Sequence, residues 1–282
     1  MSQSSSNDHA VRLRRVATRT RGHRQGPVTR LMSPSDLGQT LRPFVFLDLI
    51  DLTGTTPHGV HLHPHSGIAT LTWILEGNVG FEDTLGRSGT IPQGGVEWMQ
   101  AGGGAWHGGD FGDADRVRGF QLWVALPPDM ELGGPESIYL EPGDIERDGP
   151  VTVLLGRYGR ARSPLQTPSP INYLSVKLKA GEHWRYEPPE GHAVGWAAVS
   201  VGELLVPDKV QAGELVVFDE SEGAIEFHAE TDAEFVFGSA VKHPHDLVLG
   251  YYSVHTSATA LEEGEARIRE IGIRLREQGR LR

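Results

Sequence analysis

Short apolar or alternating runs recur along the chain, each closed by a glycine- or proline-marked turn. In the first half they are FVFLDLIDL, ATLTWILEG, VEWMQAG and RGFQLWVAL; in the second, INYLSVKLKAG, VGWAAVSVGELLV, GELVVFDE and EFVFGSAV. Alternation over four to eight residues turns one strand face inward, and unbroken apolar runs of that length suit strands covered on both faces. The halves also echo each other. WILEGNVGF followed by IPQGGVEWM matches AAVSVGELLV followed by VQAGELVVF: a strand, a glycine turn, a strand, then a glycine-marked turn into another strand. The pattern predicts an all-β protein made of a duplicated antiparallel β-barrel, with residues 11–160 in the first copy, 161–258 in the second, and the join in the Pro/Ser-rich RYGRARSPLQTPSPIN at 157–172. Helical periodicity is scarce until the end, where residues 259–282 are read as a C-terminal helix packed as a lid. Thr259 and Glu262 suit a capping box, Leu261, Ile268, Ile271 and Leu275 form one stripe, and Gly279 suits the C-terminal cap.

With 282 residues the chain can bury one large core or two modest ones. The formal charge of −11 argues against a direct grip on nucleic acid through a basic face, so any role there runs through a partner. The absence of cysteine excludes disulfides, thiolate metal sites and a cysteine nucleophile, leaving imidazole and carboxylate as ligands. No window reaches the roughly 18 apolar residues needed to span a bilayer, and the first residues lack the apolar core of a signal peptide; a cytoplasmic protein is expected. Residues 1–10, MSQSSSNDHA, are polar and expected to be disordered. The arginine-rich, acid-free VRLRRVATRTRGHRQG reads as a solvated edge strand with Val11, Leu13 and Val16 turned inward, with a targeting segment or anion patch as the alternative.

The candidate chemistry lies in GVHLHPHSGIATLTWILEG, where His61, His63 and His65 occupy every second position. In an extended strand His63 and His65 project from one face about 7 Å apart, close enough to converge on one ion. Pro64 removes an amide donor and places the segment at a strand start or edge. His107 follows the glycine run QAGGGAW, whose flexible backbone can return a side chain to the same cavity. A second HPH, His243 to His245 beside Lys242, reads as a surface loop, and Glu182, His183 and His192 as solvated loop residues. Trp73, Trp98, Trp106 and Trp123 read as core or cavity wall, with Trp106, beside His107, having the best claim to face a substrate.

The run HLHPHSGIATLTWILEGNVGFEDTLGRSGTIPQGGVEWMQAGGGAWH resembles the signature region of the pirin family, a branch of the cupin superfamily. FVFLDLI upstream, RGFQLWVALPP downstream and FGSAVKHPHDLVLGYYSVHTS near the end match as well, so the similarity extends from about residue 20 to the C-terminus. The resemblance implies a bicupin, two small jelly-roll-type barrels face to face, with one metal in the first barrel only: Fe(II) foremost, or another divalent ion (Ni, Mn, Zn or Cu). It places the metal histidines on His63, His65 and His107. The family's glutamate ligand falls on Gly109, and the glutamate of general cupins on Ala69, so both carboxylate positions are empty. His61, Asp110, Glu97 or water are the candidates to complete the coordination. Two functions follow from the resemblance. One is an Fe(II)-dependent dioxygenase similar to quercetin 2,3-dioxygenase, acting on a small aromatic or enol-type substrate, with His61 or Glu97 as proton acceptor in place of the missing acid. The other is a non-catalytic regulator that acts on a partner protein, as a transcriptional co-regulator or a modulator of a metabolic enzyme. A monomer without membrane contact is expected.

Overall fold

The structure, a computed structural model, describes residues 13–54, 59–112 and 115–281. The segment 1–10 lies outside the described residues, as does Val11. Four antiparallel sheets form two barrels. In the first, a seven-stranded sheet runs in the order Glu136–Leu140, Val96–Gln100, Ile68–Glu76, Arg116–Ala125, Phe44–Thr53, Val28–Met32 and His23–Gln25, and faces a four-stranded sheet of Gly59–His65, Ala105–Asp110, Val79–Asp83 and Ser88–Ile91. The second repeats this order with Val16–Thr20, Leu215–Phe218, Val194–Val201, Ala233–Ala240, Ile171–Leu178, Val151–Leu155 and Arg147–Asp148, facing His183–Tyr186, Ile225–Ala229, Glu203–Val206 and Asp208–Gln211. The fold is the expected all-β pair of antiparallel barrels with a C-terminal helix.

The alternation of side chains decides what each barrel contains. Along Ile68–Glu76, the residues Ala69, Leu71, Trp73 and Leu75 enter a core that joins the two large sheets, where Phe44 meets Trp196 edge to face at 5.3 Å. The intervening Thr70 and Thr72, with Glu97 from the neighbouring strand, are also buried but point to the interior of the first barrel, which therefore carries polar groups among apolar walls such as Ile50, Phe81 and Phe111. The second barrel's interior is instead filled by Trp184, Tyr186, Phe227, Phe235 and Phe237 with aliphatic neighbours.

Two boundaries differ from the sequence reading. After the edge strand Val16–Thr20, the chain builds the first large sheet through Leu140 and re-enters the second at Arg147, so it changes barrels within 141–146. The Pro/Ser-rich run expected to be the join connects Val151–Leu155 to its antiparallel neighbour Ile171–Leu178; its composition marks irregular chain but not a domain border. The arginine-rich segment is an edge strand as expected, but it belongs to the second barrel, where Val16–Thr20 pairs with Leu215–Phe218. Val16 packs on that core, whereas Leu13 is 44% exposed rather than turned inward.

The helix spans Ala258–Glu277 and is capped by Ser257, whose hydroxyl accepts from the Ala260 amide; Thr259 lies inside the helix, so the expected Thr259–Glu262 box does not form. At the other end Gly279, at φ 70°, takes the left-handed cap position, with its amide donating to the Arg276 carbonyl and that of Arg280 to the Leu275 carbonyl. The buried face is Ala260, Gly264, Ile268, Gly272 and Leu275. Its glycines matter because a Cβ at Gly272 would sit 2.8 Å from the Trp106 ring and one at Gly264 2.6 Å from the Ser66 hydroxyl.

Candidate metal centre

Gly59–His65 and Ala105–Asp110 pair so that His63 stands opposite His107 and His65 opposite Ala105. The ladder shifts just beyond His107, because Gly109 pairs with Val60, leaving His61 and Leu62 across from Gly108 alone. A bulge of this kind breaks strict alternation. His61 is exposed and its ring stays outside the cluster of the other three, contrary to the expectation from i, i+2 spacing.

His63, His65 and His107 converge, each offering a ring nitrogen within 4.8 Å of the others. In all three rings the Nδ1 atom is already committed. His63 donates to its neighbour His61's carbonyl at 2.9 Å, His65 to the Tyr252 carbonyl at 3.1 Å, and His107 to Glu97 Oε1 at 2.8 Å. These bonds fix the tautomer and leave the lone pair on Nε2. The Nε2 atoms of His65 and His107 are buried with no hydrogen-bond partner. Buried polar atoms are rarely left unpaired, and a divalent cation is the partner this donor set fits.

Burial first, and then the neighbouring His107, lowers His63 to a pKa of about 4; burial, then His63 and His107, pushes His65 well below the ordinary value. Both rings are thus neutral at pH 7, the form that binds metal. Burial alone would raise Glu97, but His107 and the hydrogen bonds from His107 and Thr72 outweigh it and hold the carboxyl below its usual value. Glu97 is therefore an ionised carboxylate one imidazole away from the convergence point. Beside the His63 and His107 rings lies a cavity of about 60 Å³, walled by Ile50, Thr72, Phe81, Phe111 and Gln121.

No carboxylate joins the three imidazoles among the described residues. Ala69 is fully buried, and Asp110 is exposed with its carboxylate accepting from the Gly112 amide. At Gly109 a Cβ would lie 2.1 Å from the Gly80 carbonyl oxygen, so any side chain there collides with the adjacent strand.

Sequence reasoning missed the support behind His65. The next residue, Ser66, hydrogen-bonds His255 Nε2 at 3.0 Å and Ser253 at 2.9 Å; His255 Nδ1 lies 3.1 Å from Glu131, which also accepts from the amide and hydroxyl of Thr256. All four of Ser66, Ser253, His255 and Glu131 are buried. This network ties the segment carrying the Tyr252 carbonyl to the histidine strand, and Gly264 of the helix closes over it. Substituting Gly264→Ala should press a methyl group into Ser66 and His255. The expected cost is about 1–3 kcal/mol, read as a lower melting temperature together with weaker metal retention.

Trp106 does not face the cavity: its indole donates to the Ile268 carbonyl at 3.0 Å beneath the helix. Trp123 is the tryptophan beside the site, 4.7 Å from the His65 ring and stacked on Phe46 at 4.0 Å, while Trp73 and Trp98 lie in the inter-barrel core. Glu182 and His183 are exposed as expected, but His192 and His243 are each only 4% exposed, so neither is a solvated loop residue. His192 is held by Ser239 and His243 lies against the backbone of His245. In the repeat, Trp184, Tyr186 and Phe227 stand where His63, His65 and His107 stand in the first barrel, since Trp184 pairs with Phe227 as His63 does with His107. Aromatic rings have filled the second site.

A family model described as Pirin matches residues 25–124. A Pseudomonas aeruginosa protein provisionally named a quercetin 2,3-dioxygenase is 33% identical over 243 residues, 80% of this chain and 84% of that protein. An Arabidopsis thaliana protein, provisionally named pirin-like, is 30% identical over 189 residues, covering 64% of this chain and 68% of its own length. The crystal structure of quercetin 2,3-dioxygenase from Acinetobacter baumannii superposes with a TM-score of 0.82 at 26% identity, over 90% of this chain and 96% of that one. With its paired cupin barrels and three converging histidines, the chain belongs to the pirin family.

Proposed function

We propose that this pirin holds one divalent metal, Fe(II) in its working form, through Nε2 of His63, His65 and His107, and catalyses addition of O₂ to a small enolic or phenolic substrate. The carrying observation is the pair of buried, unpartnered Nε2 atoms on rings whose Nδ1 atoms are already committed. Imidazole donors accept several divalent ions, and the dioxygenase names of relatives favour one that is redox-active. When bound, the ion supplies a Lewis-acidic centre for the substrate oxygen and for O₂.

The protein's own groups do the rest. Glu97 fixes the His107 ring and offsets the ion's charge from one imidazole away. It is also the ionised carboxylate lining the cavity, and so the proton acceptor for a substrate hydroxyl, a role the exposed His61 ring is badly placed to share. The buried space of about 60 Å³ is far below the roughly 300 Å³ of a typical ligand pocket. It suits dioxygen or water, with the substrate approaching from the half-exposed His63 side.

Replacing Glu97 by glutamine keeps an acceptor for His107 but removes the charge. Metal affinity should fall about 10- to 100-fold, with a larger loss of turnover and an unchanged fold by circular dichroism. The reading itself is tested by oxygen consumption of iron-loaded protein over flavonols, catechols and smaller enediols; full loading without uptake on any of them overturns it. That outcome would favour the second reading, a metal-dependent regulator of a partner protein, which the confined cavity and the lack of a carboxylate ligand support.

A further inference from the structure

Three arginines, Arg157, Arg160 and Arg162, lie within six residues of a chain whose net charge is −11. Arg157–Tyr158 and Ala161–Arg162 pair as a hairpin that sets Arg157 directly opposite Arg162, with Gly159 (φ 54°) and Arg160 making the turn. Directly opposed side chains share a face, with Cβ atoms about 5 Å apart, and like charges so placed destabilise a hairpin. Among the described residues none of the three guanidinium groups enters a salt bridge. Two carboxylates bind the hairpin through its backbone, Asp148 at the Arg160 amide and Glu146 at the Arg162 amide, and Glu187 pairs with Arg185, so the guanidinium heads are left without an acidic partner.

The same three arginines line a cleft of about 510 Å³ whose wall includes Thr167, Asn172 and His192 and no acidic residue. An adjoining space of about 460 Å³ shares Arg157 and Asn172 and reaches Tyr186. The floor is buried and rigidly bonded. Asn172 accepts from the Arg157 amide and donates to the Tyr186 hydroxyl, both at 2.9 Å, and His192 lies 3.2 Å from Ser239. Burial first, then Arg14 and Arg157, lowers the pKa of His192, so the positive field reaches the floor. This volume is within the usual range for small-molecule sites, about 300–1,000 Å³.

We propose that this cleft in the second barrel binds a small polyanion through its oxyanion groups, carboxylate or phosphate, gripped between Arg157 and Arg162 with Arg160 at the rim. Planar guanidinium groups match such oxyanions with two parallel hydrogen bonds, and an anion between the opposed arginines turns a repulsive pair into a binding pair. The site is separate from the three histidines and does not depend on what they bind.

Titration calorimetry on the full chain with pyrophosphate and with citrate, at matched ionic strength, tests this. Saturable binding of one anion per chain is expected for at least one of the two, distinguishing phosphate from carboxylate preference. Arg157→Ala and Arg162→Gln should each weaken it at least about tenfold, with metal content unchanged. Millimolar ligand should raise the melting temperature of the wild type but not of the double variant. Without ligand, Arg162→Gln should melt no lower than wild type, since it relieves the opposed charges. Failure of both anions to saturate, binding that survives the double substitution, or saturation only by a single-stranded oligonucleotide would overturn the assignment.

Discussion

Alanine at His65 or His107 should reduce metal content from about one ion per chain to near zero in protein purified without chelator, while both barrels stay folded. Each substitution deletes one of three donors, and the survivors cannot regroup because their Nδ1 bonds to Tyr252 and Glu97 hold them in place. The fold should survive because the shared core of Phe44, Leu71, Trp98, Trp196 and their neighbours is apolar packing that none of the three imidazoles joins. His63→Ala should act in the same direction, less completely, since that ring is only half-buried. His243→Ala supplies the contrast: it empties a buried position and lowers stability, but leaves metal content alone. Elemental analysis beside circular dichroism decides the matter. Unchanged occupancy in all three site variants would mean that the ion sits elsewhere and that the unpartnered Nε2 atoms have another explanation.

How far the sequence reveals this site depends on the range over which each contact is made. The convergence of His63, His65 and His107 is legible because strand periodicity and a glycine turn are local signals and the pirin resemblance singles out the same three residues. His61 obeys the same periodicity, which keeps it among the candidate ligands with Asp110, Glu97 and water; the bulge that parts it from the other rings is set by pairing with Gly108 and Gly109 across the ladder and leaves no mark on the strand itself. Glu97 was legible as an acid near the site; that it grips His107 follows from the placement of its strand beside Thr72, which spacing does not encode. Glu131 and His255, 124 residues apart, carry no shared pattern at all. The barrels were visible in the repeated strand and turn order, but not the change of barrel at 141–146, because the proline-rich signal elsewhere was stronger. Likewise nothing local says that Val16–Thr20 completes the far barrel.

Gly109→Glu should fail to supply a carboxylate ligand at the position where the pirin resemblance places one, and should destabilise the protein instead. The obstacle is not the backbone conformation of residue 109, which lies outside the left-handed region that favours glycine, but the approach of the neighbouring strand. Gly109 pairs with Phe81 and Asp110 with Gly80, and the ladder brings the Gly80 carbonyl oxygen to 2.1 Å from where a Cβ would be. Backbone in a paired strand cannot swing aside as a flexible side chain can, so Val79–Asp83 would have to move together with its partner Ser88–Ile91. Overpacking of this kind costs about 1–3 kcal/mol or more, a fall in melting temperature of at least several degrees, on the order of 2–4 °C per kcal/mol for a protein of this size. Gly109→Ala should show most of the loss, because the first carbon already collides, and metal affinity should not rise in either variant. The negative charge this site uses is placed on Glu97, one ring behind the donors, where no strand must give way. A Gly109→Glu protein that melts like wild type and binds metal more tightly would show that the strand yields after all, and that the missing ligand rather than the close ladder sets this centre apart.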